Sequence, residues 1–440
     1  MDNIEKIEKY LVKNFDQHEI FEERSNQRSI SFESNNLKEV SSNQSQGFAA
    51  RAIKDNQITF SSSSNYDYEN FISNFKELSN YPIPIDIRFP EQKDSKNTII
   101  YDDEILSYKN EYLIETLKKN INKILLSFPN ASCDAGFSLA ESNSNLRNSS
   151  KLNINSQESF ISFYISSQII NGNDMLNIYK YKNSVNAIKE KDIDLMVSEL
   201  CKELSIAQNI VDTPKKGCPV IFTPHGLYQT LLSPLLVSFS GTNLSKNLSS
   251  LCGKEGEKLF DEKIILSDDP HIDYSPASRN YDDEGVVTKK NILINKGIFD
   301  SGLYDLKTGS ESSKKSTGSA GRSVHSNPSP TTSNIVMDEG QITINNIISD
   351  IDEGILVDHL LGAGQGNELS GNFSANISLG YKIEKGEIIG RVKNTMISGN
   401  AFDALRDIEE ISLERDQVYG SMMLPYLHTK NVEISSWWKK

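Results

Sequence analysis

The sequence predicts an α+β fold: an N-terminal helix-plus-antiparallel-sheet domain, then a C-terminal β-rich domain built as a large antiparallel sheet or a barrel. Three observations predict it. Apolar residues recur at intervals of three and four in several separate stretches. Short alternating segments bounded by Asn, Ser, Asp and Gly follow the first of these, and beyond residue 264 strand and turn signals succeed one another with little helical pattern. The 440 residues suffice for two or three domains. A change of texture near residue 190 divides the expected domains into 1–190 and 191–440.

Residues 3–15 place Ile4, Ile7, Leu11 and Phe15 on one face of an amphipathic helix. Strand-like pieces at 20–23, 27–33, 47–53 and 57–60 then suggest a meander under that helix. A second long helix is expected over 111–128, where Leu113, Leu117, Ile121, Ile124 and Phe128 keep the helical period. The Ser/Asn-rich stretch 141–155 is expected to turn, and 160–170 to form a half-buried strand. A helix over 193–211 carries Met196, Leu200, Leu204 and Ala207 on one side. It must stop before Pro214, because the residue preceding a proline is pushed out of the α region. In the second half a buried strand is expected at 219–222 and a helix at 226–240. Further strands are expected at 263–267, 289–294, 302–306, 341–344, 354–358, 376–383 and 387–391. The Ser-, Thr-, Gly- and Pro-rich segment 307–334 is expected to be a long loop.

With 46 Lys and Arg against 60 Asp and Glu the net charge is −14, the wrong sign for a general nucleic-acid binder that must neutralise phosphates. The first residues show no secretory signal, and no apolar run approaches the roughly 20 residues that span a bilayer. A cytoplasmic protein without membrane contact is therefore expected. Cys133, Cys201, Cys218 and Cys252 are scattered, as suits inert thiols in a reducing compartment.

No histidine has another three to five residues away, so no helix offers two imidazoles to one ion. The acidic runs Asp268-Asp269 and Asp282-Asp283-Glu284 abut Pro270 and Gly285. There, carboxylates more often bond their own backbone than serve as a catalytic pair. The run Gly362 to Gly366 lacks the glycine spacing of a dinucleotide fingerprint, and no G-x-S-x-G elbow occurs. Residue chemistry alone reveals no reaction.

Several segments, taken in order, resemble the TldD/PmbA family, whose members have been labelled modulators of DNA gyrase and associated with zinc metallopeptidase activity. They are Gly217-Cys218-Pro219-Val220-Ile221-Phe222, Gly253-Lys254 through Phe260, Asp268-Asp269-Pro270 and Tyr281-Asp282-Asp283-Glu284-Gly285. Ser316-Thr317-Gly318-Ser319-Ala320-Gly321-Arg322, Gly371-Asn372-Phe373-Ser374 and Ile397-Ser398-Gly399-Asn400 complete the set.

The resemblance implies that active members carry H-E-x-x-x-H on the helix after the P-V-x-x strand, with the glutamate as base for zinc-bound water, and add a cysteine ligand near the C-terminus. Here that stretch reads His225-Gly226-Leu227-Tyr228-Gln229-Thr230, and no cysteine follows Cys252. The departures are similar to the PmbA/TldE branch. They imply no catalytic or metal-binding residue and no cofactor in this chain, with zinc held by a TldD-like partner and a peptide or unfolded protein as substrate. His225, Gly318, Gly321 and Arg322 are the candidate cleft or interface residues, Arg322 as a clamp for a carboxylate. Two other readings remain at this stage: a metallopeptidase active alone, recruiting His225 with Asp282 and Asp283, or a non-enzymatic protein that modulates another enzyme.

Overall fold

The structure, a computed structural model, describes residues 3–365 and 367–436, so Gly366 of the glycine run lies outside the described residues. Two sheets dominate. The first has seven antiparallel strands: β1 (Gln17–Glu33), β2 (Asn36–Lys54), β3 (Gln57–Ser63), β4 (Ile83–Pro84), β5 (Ser132–Asn148), β6 (Asn153–Asn171) and β7 (Asp174–Ser184). Their order is β4-β3-β2-β1-β5-β6-β7, which leaves β7 as an outer strand.

Four longer helices cover this sheet or join it to the second. Helix α1 (Asn3–Asn14) buries Ile4, Ile7 and Leu11. Helix α2 (Tyr68–Leu78), unanticipated although Phe71, Ile72 and Phe75 keep the helical period, is capped by the Asp67 side chain and packs beside α1. Helices α3 (Asn110–Ser127) and α4 (Glu190–Ala207) lay their apolar faces into one core with β5, β6 and β7. That core continues through Ile221, Leu356, Leu379, Tyr381 and Ile383 of the second half.

The expected turn at 141–155 is mostly strand: β5 and β6 stay paired to Arg147↔Asn153, leaving only 149–152 to reverse the chain. The Ser and Asn side chains there bond across the ladder. Asn145, for instance, donates at 2.9 Å to both Asn153 and Asn155. Likewise 20–23 and 27–33 are parts of the single strand β1, since main-chain pairing runs unbroken through the polar residues between them.

The remaining strands are β8 (Ile210–Val211), β9 (Val220–Phe222), β10 (Leu266–Asp268), β11 (Asn291–Asn295), β12 (Ile298–Phe299), a separate ribbon of β13 (Ala320–Gly321) and β14 (Ser329–Pro330), and then β15 (Ile335–Met337). They continue with β16 (Glu353–Leu361), β17 (Asn372–Glu384), β18 (Glu387–Val392), β19 (Thr395–Asn400), β20 (Ile408–Val418), β21 (Met422–Thr429) and β22 (Val432–Ser436). All but the ribbon form one sheet along the path β12-β11-β10-β15-β21-β9-β16-β17-β18-β8, with β19, β20 and β22 attached beside it. Most pairs are antiparallel, whereas β15–β21, β16–β9 and β18–β8 are parallel.

Four expectations fail locally, in whole or in part. The helix over 193–211 stops at Ala207, and Ile210–Val211 joins the sheet instead. Residues 302–306 make a single bridge at Leu303 before Asp305 caps a short helix, Leu306–Glu311. Residues 341–344 lead into another helix, Ile344–Ser349, capped by Thr343. The segment 307–334 is a loop over most of its length, as expected, and departs from that at the end of the short helix Leu306–Glu311 and at the two-residue strands of the ribbon, Ala320–Gly321 and Ser329–Pro330.

A buried ion network ties the first sheet to the second half. Arg51 of β2 grips Glu19 of β1 through Nε and Nη2 at 3.0 and 2.9 Å, and reaches Glu284 through Nη1 at 2.8 Å. Arg322 donates to the same Glu19 at 2.7 Å, and these side chains are at most 4% exposed. Asp282 accepts the main-chain N–H groups of Glu284, Val286 and Ala320. The acidic run is therefore a buried turn and brace, as its neighbouring glycine suggested. Burying charge is costly unless every group is paired, so removing one partner should cost far more than removing the set. Arg51→Met should lower stability to urea by about 3–5 kcal/mol. The quadruple variant Glu19→Gln, Arg51→Met, Glu284→Gln, Arg322→Met, which removes every charge of the network, should recover much of that loss. Equal losses in single and quadruple variants would contradict this account.

Candidate functional site

Strand β9 runs in the sheet between β16 and β21 and delivers the chain into a helix at Pro224. Thr223 caps that helix by accepting the Gly226 N–H, and its own hydroxyl donates to Asp358 at 2.6 Å. The first piece, α5 (Pro224–Leu227), passes through a π turn at Tyr228–Leu232 into α6 (Ser233–Phe239). Pro234 explains the wide turn: it has no N–H for the Thr230 carbonyl, and its ring would collide with that carbonyl in a regular helix.

His225, on the first turn of α5, faces an aromatic group drawn from three other elements. Tyr179 and Tyr181, two apart on β7, share one face of the strand. His359 follows Asp358 on β16, and Tyr419 sits in the turn between β20 and β21. The His225 and His359 rings are 5.1 Å apart, Tyr179 lies 4.6 Å from His359, and Tyr181 stacks on Tyr419 at 6.1 Å.

Hydrogen bonds join these groups. The Tyr419 N–H donates to the Tyr181 hydroxyl at 2.6 Å, and that hydroxyl is hydrogen-bonded to His225 Nε2, 2.8 Å away. Burial, helped by the neighbouring His359, pushes the His225 pKa down to about 4. Burial also disfavours charge on His359, but the Asp358 carboxylate, 3.5 Å from Nδ1, outweighs it and raises the pKa. Asp358 is held well below the usual carboxylate range: burial works the other way but is overcome by His359 and the Thr223 hydroxyl.

The place of the family's glutamate is closed. A Cβ on Gly226 would stand 2.4 Å from the Val357 carbonyl oxygen, a main-chain atom of β16 that cannot swing aside. Thr230, where the second histidine would stand, is fully buried and donates to the Gly226 carbonyl at 2.6 Å. Tested against a zinc ion, the donors do not fit. His225 Nε2 is engaged by Tyr181, and among the described residues no three His, Cys, Asp or Glu are grouped to hold a metal.

The four expected cleft residues separate. Only His225 lies in this cluster. Gly318 has φ +73°, and its Cβ would meet the Val287 carbonyl at 2.9 Å, while a Cβ on Gly321 would meet Thr331 at 2.4 Å. Both serve close packing around the ribbon. Arg322 is corrected from a substrate clamp to an internal brace, its side chain 0% exposed and paired with Glu19. Asp282 and Asp283 belong to the turn beside the ion network and accept main-chain N–H groups, Asp283 that of Arg322 at 2.8 Å. Sequence reasoning missed Tyr179, Tyr181, Asp358, His359 and Tyr419. The Tyr-x-Tyr and Asp-His pairs were visible, but nothing in the sequence joins β7 to β16.

Comparison with known proteins agrees with this architecture. The family model for the PmbA/TldA metallopeptidase C-terminal domain matches residues 214–436, and that for PmbA/TldA metallopeptidase domain 1 matches 18–78. A Methanocaldococcus jannaschii protein is 27% identical over 427 residues, 96% of this chain and 97% of its own. The metalloprotease TldD homolog of Haemophilus influenzae is 30% identical over 168 residues, 38% of this chain and 35% of its own. The crystal structure of TldE from Thermococcus kodakarensis superposes with a TM-score of 0.88 at 26% identity, covering 99% of this chain and all of that one. With its C-terminal half matched throughout and its fold reproduced from end to end, the chain belongs to the PmbA/TldD metallopeptidase family.

Proposed function

We propose that this chain is a zinc-free, PmbA/TldE-like subunit of a heteromeric peptidase, and that a TldD-like partner holds the zinc that activates water. The contact between Gly226 and the Val357 carbonyl carries the reading, because it denies the general base any room at its own position. Likeness to TldE along the whole chain supports it. The substrate class is a peptide or partly unfolded protein. Tyr179 and Tyr181 stand on the outer strand β7, whose free edge can pair with an extended main chain while the aromatic rings and the neutral His225 pack against its side chains.

The same reading places the protein in the cytoplasm. The four cysteines are free in the structure, burial raises the thiol pKa of Cys218 to about 11, and no helix among the described residues is long and apolar enough to cross a membrane. Direct nucleic-acid binding is not part of it, given the net charge of −14.

Three outcomes test the proposal. The chain purified without chelator should hold no stoichiometric zinc by mass spectrometry and cleave no unfolded protein alone, yet support cleavage when mixed with a TldD-type subunit. Zinc at one per chain, or no association with such a subunit, would overturn it. Gly226→Glu with Thr230→His should cost about 3 kcal/mol or more in urea melts and gain no zinc, since the backbone of β16 is in the way. In NMR titrations His225 should stay neutral until the pH approaches about 4, because burial disfavours its charged form. As the folded pKa lies below the unfolded value of roughly 6.5, His225 subtracts stability as pH falls from there towards its folded midpoint.

A further inference from the structure

Away from the aromatic cluster, a cavity of about 520 Å³ opens where helices α1 and α2 lie side by side. Lys6, Lys9 and Lys13 of α1 and Lys76 of α2 line it together with Tyr10 and Tyr68, and among the described residues no carboxylate does. The volume falls within the roughly 300–1,000 Å³ usual for small-molecule sites. In a chain of net charge −14, four positive groups around one hollow are a local reversal of sign, and a concave surface of one sign concentrates its field on a ligand of the other.

Packing holds the lysines in this arrangement. Ile4, Ile7 and Leu11 of α1 and Phe71, Ile72 and Phe75 of α2 are buried in one core, and the Phe15 ring meets Phe75 edge-on at 5.6 Å, so both helix backbones are fixed. Intervals of three and four then gather Lys6, Lys9 and Lys13 on the face of α1 turned from that core, where like charges oppose one another. Neutral groups hold two of the four ammonium groups. Lys6 bonds the Asn3 side chain at 3.3 Å and lies 5.9 Å from the Tyr68 ring centre, and Lys76 lies 5.4 Å from that of Tyr10. Glu8, between Lys6 and Lys9 in the chain, reaches instead to Arg147 at 3.1 Å. All four lysines are exposed and open to a ligand. An ammonium acts as a point charge that suits a phosphate, whereas planar two-bond capture of a carboxylate calls for arginine, and among the described residues no arginine lines the cavity. Four such charges match a chain of several phosphates better than a single one.

We propose that this cavity binds a polyphosphate chain, free or as part of a nucleotide, between the lysines of α1 and Lys76 of α2. The assignment uses no residue around His225 and stands apart from the zinc-free reading. Calorimetric titration of the full chain with tripolyphosphate, in buffer without divalent cations, tests it beside inorganic phosphate and ATP. Tripolyphosphate should bind saturably and roughly tenfold or more tighter than inorganic phosphate, and its affinity should fall steeply as salt is raised. Equal affinity for ATP would identify the phosphate chain alone as the ligand and a tighter one a nucleotide, each in keeping with the site. Lys13→Gln with Lys76→Gln should weaken binding roughly tenfold or more. Lys118→Gln with Lys123→Gln on α3, an equal change in net charge at lysines paired with Glu115 and Asp194, should leave it unchanged. No saturable binding at millimolar tripolyphosphate, or equal loss in the two double variants, would overturn the proposal. So would tighter binding of a single-stranded oligodeoxythymidylate than of tripolyphosphate, which would make the lysines a nucleic-acid surface instead.

Discussion

The grip of Arg51 on Glu19 and Glu284 is the contact on which the arrangement of the two halves depends. It joins adjacent strands of the first sheet to a turn in the second half, and a second arginine, Arg322, closes the group from the ribbon. Each guanidinium also lies against an aromatic ring, Arg51 over Phe89 and Arg322 over Phe21, so water is excluded. A desolvated network of this kind tolerates only one geometry, because any shift leaves a buried charge unpaired. Fixing the first sheet in this way also fixes its far edge, β7, and so sets Tyr179 and Tyr181 over the start of α5.

The segments by which the sequence resembles its family acquire a physical role from this network. Arg322 looked like chemistry because an arginine can clamp a carboxylate, whereas the acidic run beside Gly285 read as a turn. Here Asp282 closes a turn with three main-chain bonds, Glu284 also accepts the Leu306 N–H, and Arg322 is wholly enclosed. These segments thus report how the two halves are braced, and they say nothing by themselves about catalysis.

What could be read in advance follows the same physics. The helices at 3–14, 110–127 and 190–207 were legible because each must bury one face, and burial imprints a 3.6-residue period. The ladder through 141–155 was hidden because Ser and Asn, ordinarily turn formers, spend their polar groups there on cross-strand bonds. The site was the least legible part. Its members come from β7, α5, β16 and the turn before β21, and only His225 lay in a recognisable motif.

Loss of the glutamate is built deeper into this site than one substitution. With β16 packed against α5 at Gly226, the main chain has taken the volume that a side chain would need. Asp358 accepts the Thr223 hydroxyl and favours charge at His359, whose ring lies 5.1 Å from that of His225. His225 is at the same time held neutral by burial and occupied by the Tyr181 hydroxyl. The packing at Gly226 and the hydrogen bond at His225 Nε2 act by separate means, the first on the volume beside the helix and the second on the ring nitrogen.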